Sequence, residues 1–160
     1  IEGGTIRSTS DQFFEQNKNK FDIVFIDGLH HYSQVLKDIN NSLKILNKNG
    51  FILVHDCLPR SLAQQAVPRY RASWNGDVWK SIVNYRTRED CDIVTCKIDH
   101  GVSIVRKIYN KDILNINTKD FKREAYRNKG GGTLFGGGKA AMTGTAGSIY
   151  GPNTGIGGGT

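Results

Sequence analysis

Long apolar runs are missing. Nowhere do about 18 apolar residues follow one another, so no segment has the length of a membrane-spanning helix. Cysteine is scarce: Cys57, Cys91 and Cys96 are an odd number with no CxxC spacing. That excludes a disulfide framework and a zinc ribbon, and it fits a protein of the reduced cytoplasm. The first residues lack the basic flank, apolar stretch and cleavage site of a secretory signal. They also lack an initiator Met, and Ile1 opens in what reads as an ongoing segment, so a fragment or processed piece is expected. Glycine is nearly absent before residue 130: only 6 of the 19 lie there, and 13 fall in Gly130–Thr160. The tail has no three-residue glycine period, which excludes collagen. It also has no acidic residue and few large apolar ones. Backbone entropy should defeat folding there, so a disordered Gly-rich tail is expected over residues 130–160.

Basic residues exceed acidic ones by 22 to 15 in the 160-residue chain, but unevenly. Residues 1–106 hold 14 basic and 12 acidic side chains, whereas residues 107–129 hold 7 and 3. Lys119, Lys122, Arg123, Arg127 and Lys129 surround Tyr126, a weak version of a nucleic-acid-binding pattern. The plainer reading is a solvated basic helix or linker over residues 110–129, and nucleic acid is not expected as a partner.

What is present in the first two thirds is an α/β pattern. Phe21–Ile26 (FDIVFI) is a short β-branched and aromatic run that reads as a buried parallel strand. Ser33 is positioned to cap a helix carrying Val35, Leu36, Ile39, Leu43 and Leu46 at helical spacing. Asn49-Gly50 should stop that helix, and Phe51–Val54 (FILV) reads as a second buried strand. Together these make one βαβ unit. Leu58–Asn75 reads as loop, Asp77 as the cap of a further helix, and 92–98 with 102–105 as an antiparallel hairpin turned by Asp99-His100-Gly101. Upstream, Ser10 or Asp11 is a candidate cap for a short helix bringing Phe13 and Phe14 inward.

In open α/β sheets ligands bind at the carboxyl ends of the strands. Two such ends carry polar clusters here, Asp27-Gly28-Leu29-His30-His31-Tyr32 and His55-Asp56-Cys57. On neighbouring strands Asp27 and Asp56 would converge, which suits a hard divalent cation. His30 or His31 could then act as a general base near neutral pH.

The run FDIVFIDGLHHYSQVLKDINNSLKILNKNGFILVHD resembles the second half of class I S-adenosylmethionine-dependent methyltransferases, with the FIDGDHSY-like and HD signatures of the small-molecule O-methyltransferase group. The resemblance implies the C-terminal part of a Rossmann-like doubly wound sheet ending in an antiparallel strand pair, over residues 1–109. It implies S-adenosylmethionine as cofactor, with Thr9, Ser10, Asp11, Asp27 and Leu29 in contact with it. It further implies Mg²⁺ on Asp27 and Asp56, and His30 as the catalytic base in place of the family's Lys. Cys57 stands where the metal-dependent relatives have Asn. The loop Pro59–Asp77, with Trp74 and Trp79, would lie over the substrate.

The family's glycine-rich cofactor turn would precede Ile1. The tail run GGTLFGGGKA does not replace it, because it fails phosphate-loop spacing and ends in Ala140. The expected activity is methyl transfer to a hydroxyl of a small molecule or sugar, by a chain that is inactive as a fragment. Homo-oligomerisation or pairing with a missing N-terminal half would complete the sheet. The competing expectation is a non-catalytic methyltransferase-like binding module. A metal-dependent phosphohydrolase built on His55-Asp56 fits poorly, since such HD pairs sit on helices.

Overall fold

Eight elements follow one another among residues 5–69 and 72–118, the residues that the computed structural model describes. They are α1 (Ser10–Gln16), β1 (Phe21–Ile26), α2 (Tyr32–Ile45), β2 (Leu46–Val54), α3 (Leu62–Gln65), α4 (Trp79–Arg86), β3 (Asp92–Cys96) and β4 (Val102–Arg106). The sheet order is β1-β2-β4-β3. β1 and β2 run parallel through the α2 crossover, and β4 lies antiparallel to both β2 and β3. The chain is therefore α/β with an antiparallel finish, as the sequence leads one to expect.

The core lies between one face of the sheet and α2 with α4. Val35, Ile39 and Leu43 repeat at helical spacing along α2 and join Ile26, Ile52, Val54 and Val105 of the strands. Val78, Ile82 and Tyr85 complete the cluster from the α4 side. Ile39 and Ile52 are fully shielded from solvent, and burying a side chain of that size stabilises the fold by about 2–3 kcal/mol. The other face of the sheet is open: Ile23 and Phe25 of β1 and Val94 of β3 are 54%, 57% and 41% exposed.

Three local expectations are corrected. Ser33 does not cap α2, because the helix begins one residue earlier at Tyr32 and takes Ser33 into its first turn. The Tyr32 N–H instead donates to Asp77 Oδ1 at 2.6 Å, so the residue expected to cap α4 closes α2 from 45 positions away. The first helix is capped by Thr9, neither Ser10 nor Asp11, through a reciprocal capping box with Gln12. Finally, Asn49-Gly50 does not end the helix. It forms a bulge inside β2, where pairing jumps from Phe21↔Leu46 to Ile23↔Phe51 and Asn49 takes a φ of 66°. Glycine is required at position 50, since a Cβ there would sit 2.7 Å from the Asp22 carbonyl oxygen.

Residues 110–118, where the basic segment starts, pack without an α-helix against the end of α4. Leu114 N and Asn110 Nδ2 both donate to the Arg86 carbonyl, which the helix end would otherwise leave open. Buried Arg86 pairs with Asp112 at 2.6 Å. The remainder of the basic segment and the Gly-rich tail lie outside the described residues. Among the described residues no helix is long and apolar enough to cross a membrane.

Candidate active site

Strand pairing alone brings the two polar clusters together. Ile26 is in register with Val54, and the ladder continues one step as His55 N donates to the Ile26 carbonyl at 3.0 Å. Asp27 therefore stands beside His55. Alternation along an extended strand would turn Asp56 to the opposite side. Asp56 breaks the alternation with a φ of 59°, and its carboxylate ends 3.2 Å from His55 Nδ1. The unusual backbone is held by the β3–β4 turn: Cys57 N donates to the Gly101 carbonyl and Leu58 N to the His100 carbonyl.

His30 arrives from the loop after β1. Its Nε2 lies 3.5 Å from Asp27 Oδ1 and 3.1 Å from Asp56 Oδ2. Its Nδ1 lies 3.1 Å from the Trp74 carbonyl, and the indole stacks on the imidazole with centroids 5.3 Å apart. The ring is thus held between acceptors, the Trp74 carbonyl at Nδ1 and the two carboxylates at Nε2. One ligand atom each from Asp27, His30 and Asp56 lies within 4.8 Å of the others. His31 is not part of this group; its ring meets Trp74 edge-on at 5.9 Å.

The carboxylates also touch His55, which the sequence places in a strand-end polar cluster and in the disfavoured phosphohydrolase pair, but not in the methyltransferase site. His55 Nδ1 is 3.4 Å from Asp27 Oδ1, and its Nε2 is 2.9 Å from Asp99 Oδ2. Burial works against a proton on His55. The hydrogen bond to Asp99 and the charges of Asp56 and Asp27 outweigh it, holding its pKa above the ordinary 6.5. The HD dipeptide was the available signal, but only the register and the β3–β4 turn give the histidine its partners. Cys57 points away from the carboxylates, its thiol donating to the Val54 carbonyl at 3.1 Å, and burial pushes its pKa up to about 12.

Beside the carboxylates opens a cavity of about 340 Å³, lined among others by Ser8, Thr9, Ser10, Phe13, Phe14, Asp27 and Gly28. Thr9, Ser10 and Asp27 thus share one hollow. Asp11 and Leu29 are not among its lining residues. The Asp11 carboxylate meets Lys37 at 2.6 Å and Gln34 at 3.2 Å, and Leu29 is 54% exposed. Of the two tryptophans in and after the long loop, Trp74 covers His30. Trp79 is 4% exposed and donates to Gln65 Oε1, which makes it part of the packing beneath the loop.

A family described as a methyltransferase domain matches residues 4–57. That stretch contains Thr9, Ser10, Asp27, His30, His55 and Asp56, and stops short of Trp74, Asp77 and Asp99. An uncharacterized protein of Acanthamoeba polyphaga mimivirus, R132, is 40% identical over 50 residues, which are 31% of this chain and 23% of that protein. The SAH-bound methyltransferase PaMTH1 of Podospora anserina superposes with a TM-score of 0.49 at 19% identity, over 63% of this chain and 47% of that one. The chain thus spans about a quarter of the curated relative and about half of the solved structure.

Proposed function

We propose that this chain contributes to an S-adenosylmethionine-dependent methyltransferase acting on a hydroxyl of a small molecule or sugar. One observation carries the reading: Asp27, His30 and Asp56 converge at the rim of a cavity that Thr9, Ser10 and Asp27 line, all inside the methyltransferase-matching segment.

The residues fit the groups that the reading requires. Phe13 and Phe14 offer apolar walls for an adenosyl group, and Ser8, Thr9 and Ser10 offer polar atoms. Asp27 and Asp56 offer carboxylate oxygens to a divalent cation, which when bound lowers the pKa of an acceptor hydroxyl. His30 takes the hydroxyl proton at Nε2, the nitrogen turned to the two carboxylates, whose charge stabilises the imidazolium that forms. The new carbon–oxygen bond replaces the carbon–sulfur bond of the donor, and the proton stays on the imidazole. Trp74, stacked on His30, excludes water from that step.

The test is isothermal titration of the complete gene product with S-adenosylmethionine and S-adenosylhomocysteine. Micromolar binding of both, with transfer of a labelled methyl group to a hydroxylated acceptor that is lost in His30→Gln, is the expected result. No binding of either compound refutes the reading. Binding without transfer to any acceptor would leave the non-catalytic module.

A further inference from the structure

We propose that Asp38 of α2 selects the purine of the cofactor: its carboxylate accepts a hydrogen bond from the exocyclic amine of adenine and turns away purines that carry a carbonyl there. The proposal rests on the S-adenosylmethionine reading above and deepens it.

The first support is the make-up of the cavity wall. Phe13, Phe14, Val24 and Phe25 give it flat apolar sides, which suit a ring. Its charged lining residues are Asp27 and Asp38, and no lysine or arginine is among them. Such a hollow repels phosphate groups and suits a ligand that brings N–H donors or positive charge. An adenosyl sulfonium brings both, the charge at sulfur and the donors at the far end of the purine. Asp27 belongs to the reacting end, where its Oδ1 lies 3.5 Å from His30 Nε2. Asp38 stands two turns into α2 and is not part of the Asp27–His30–Asp56 group. The purine amine therefore falls to Asp38.

The second support is how few donors Asp38 has. It is 4% exposed yet lines the cavity, so the surface it keeps opens into the hollow. Gln34 Nε2 has two protons and three oxygens within reach: Asp38 Oδ1 at 3.0 Å, Ser10 Oγ at 3.1 Å and Asp11 Oδ1 at 3.2 Å. Lys37, the neighbouring cation, is bound to Asp11 at 2.6 Å instead. Burial accordingly holds the Asp38 pKa above the ordinary 3.8. An enclosed carboxylate with so few donors costs stability, and groups of that kind persist where a site uses them. An amine entering the cavity supplies the missing hydrogen bond.

The third support is the contrast with Asp11. The family resemblance puts Asp11 against the cofactor, but its carboxylate is tied to Lys37 and it does not line the cavity. Asp38 reaches the same neighbourhood from the other helix, hydrogen-bonded to Ser10, which does line it.

The experiment is calorimetric titration of the complete gene product with S-adenosylhomocysteine and with S-inosylhomocysteine, whose purine carries a carbonyl in place of the amine. A carboxylate facing that carbonyl leaves two acceptors opposed, so the adenosyl compound should bind at least about 100-fold more tightly. The amide of Asp38→Asn can accept from the amine or donate to the carbonyl, so the ratio should fall below about tenfold. Asp11→Asn should leave the ratio unchanged. A merely structural Asp38 would move both affinities together and preserve the ratio. Urea denaturation checks that Asp38→Asn is folded, and the wild-type ratio needs no variant at all. Three results would overturn the proposal while the adenosyl compound still binds and the methyltransferase reading stands. They are a wild-type ratio under about tenfold, a ratio unchanged in folded Asp38→Asn, and a ratio that collapses in Asp11→Asn instead. No binding of the adenosyl compound overturns the methyltransferase reading, and the role of Asp38 with it.

Discussion

Replacing Gly76 by alanine should unfasten the turn that holds His30. Gly76 has a φ of +62°, and a Cβ there would lie 1.8 Å from the His30 carbonyl oxygen and 2.7 Å from the His30 Cβ. No side chain can rotate to relieve a clash with backbone, so the turn must move. Three contacts move with it: Trp74 O with His30 Nδ1 at 3.1 Å, Asp77 N to His30 O at 3.2 Å, and Tyr32 N to Asp77 Oδ1 at 2.6 Å. The left-handed conformation costs an alanine about 1–2 kcal/mol. Loss of the cap on α2 adds about 1 kcal/mol, and loss of the buried backbone bond about 1 kcal/mol more. The expected loss is therefore roughly 3–4 kcal/mol, a large part of a small domain's stability. Urea denaturation followed by far-ultraviolet circular dichroism measures it as a fall in midpoint at constant slope. Gly76→Asn separates strain from steric overlap. Asparagine tolerates positive φ, yet it carries the same Cβ, so it should lose nearly as much. A loss below about 1 kcal/mol in both variants would refute the account, because the turn would then have room that the geometry denies it.

Burial raises the pKa of Asp38, more than its hydrogen bond from Gln34 lowers it. Native Asp38 thus binds its proton more tightly than the unfolded chain does. Its contribution is fully present below the unfolded value of 3.8 and is lost as pH rises through the folded one. Asp38→Asn should accordingly flatten the pH dependence of the urea midpoint across that window and raise the midpoint at pH 7; a lowered midpoint would count against the sign. The thiols should react in order of access. Cys96 is only partly buried, whereas burial pushes Cys57 up to about 12 and Cys91 up to about 11. Mass spectrometry after brief iodoacetamide treatment should find Cys96 modified first, with Cys57 and Cys91 modified only in denaturant.

Much of the scaffold could be read from local pattern. Phe21–Ile26 is bounded as its β-branched run suggests, and α2 buries Val35, Ile39 and Leu43 because their spacing allows one shared face. The meeting of Asp27 with Asp56 follows from two parallel strands joined by one helix, a relation that topology imposes whatever the loops do, although β1 is buried only at Ile26. Other features depended on partners distant in the chain. Asp77 caps a helix 45 positions upstream, and nothing near Tyr32 announces it. His55 has a carboxylate partner on a turn 44 positions later, and the ring of His30 is oriented by a peptide carbonyl, a group every residue possesses. The bulge at Asn49-Gly50 was missed because Asn-Gly after a helical run has the same signature as a helix stop.

The match to a methyltransferase domain ends at residue 57, yet the parts that aim its chemistry come afterwards. Trp74 and Asp77 steady His30, while the Asp99–Gly101 turn grips both His55 and the backbone beyond Asp56. Carriers and aligners are thus written in separate stretches of one polypeptide. A gene shortened to the recognisable stretch would keep every donor atom and surrender its bearings. Inheritance can likewise retune the site from its far side, shifting where His30, His55 and Asp56 stand while the matched stretch stays untouched.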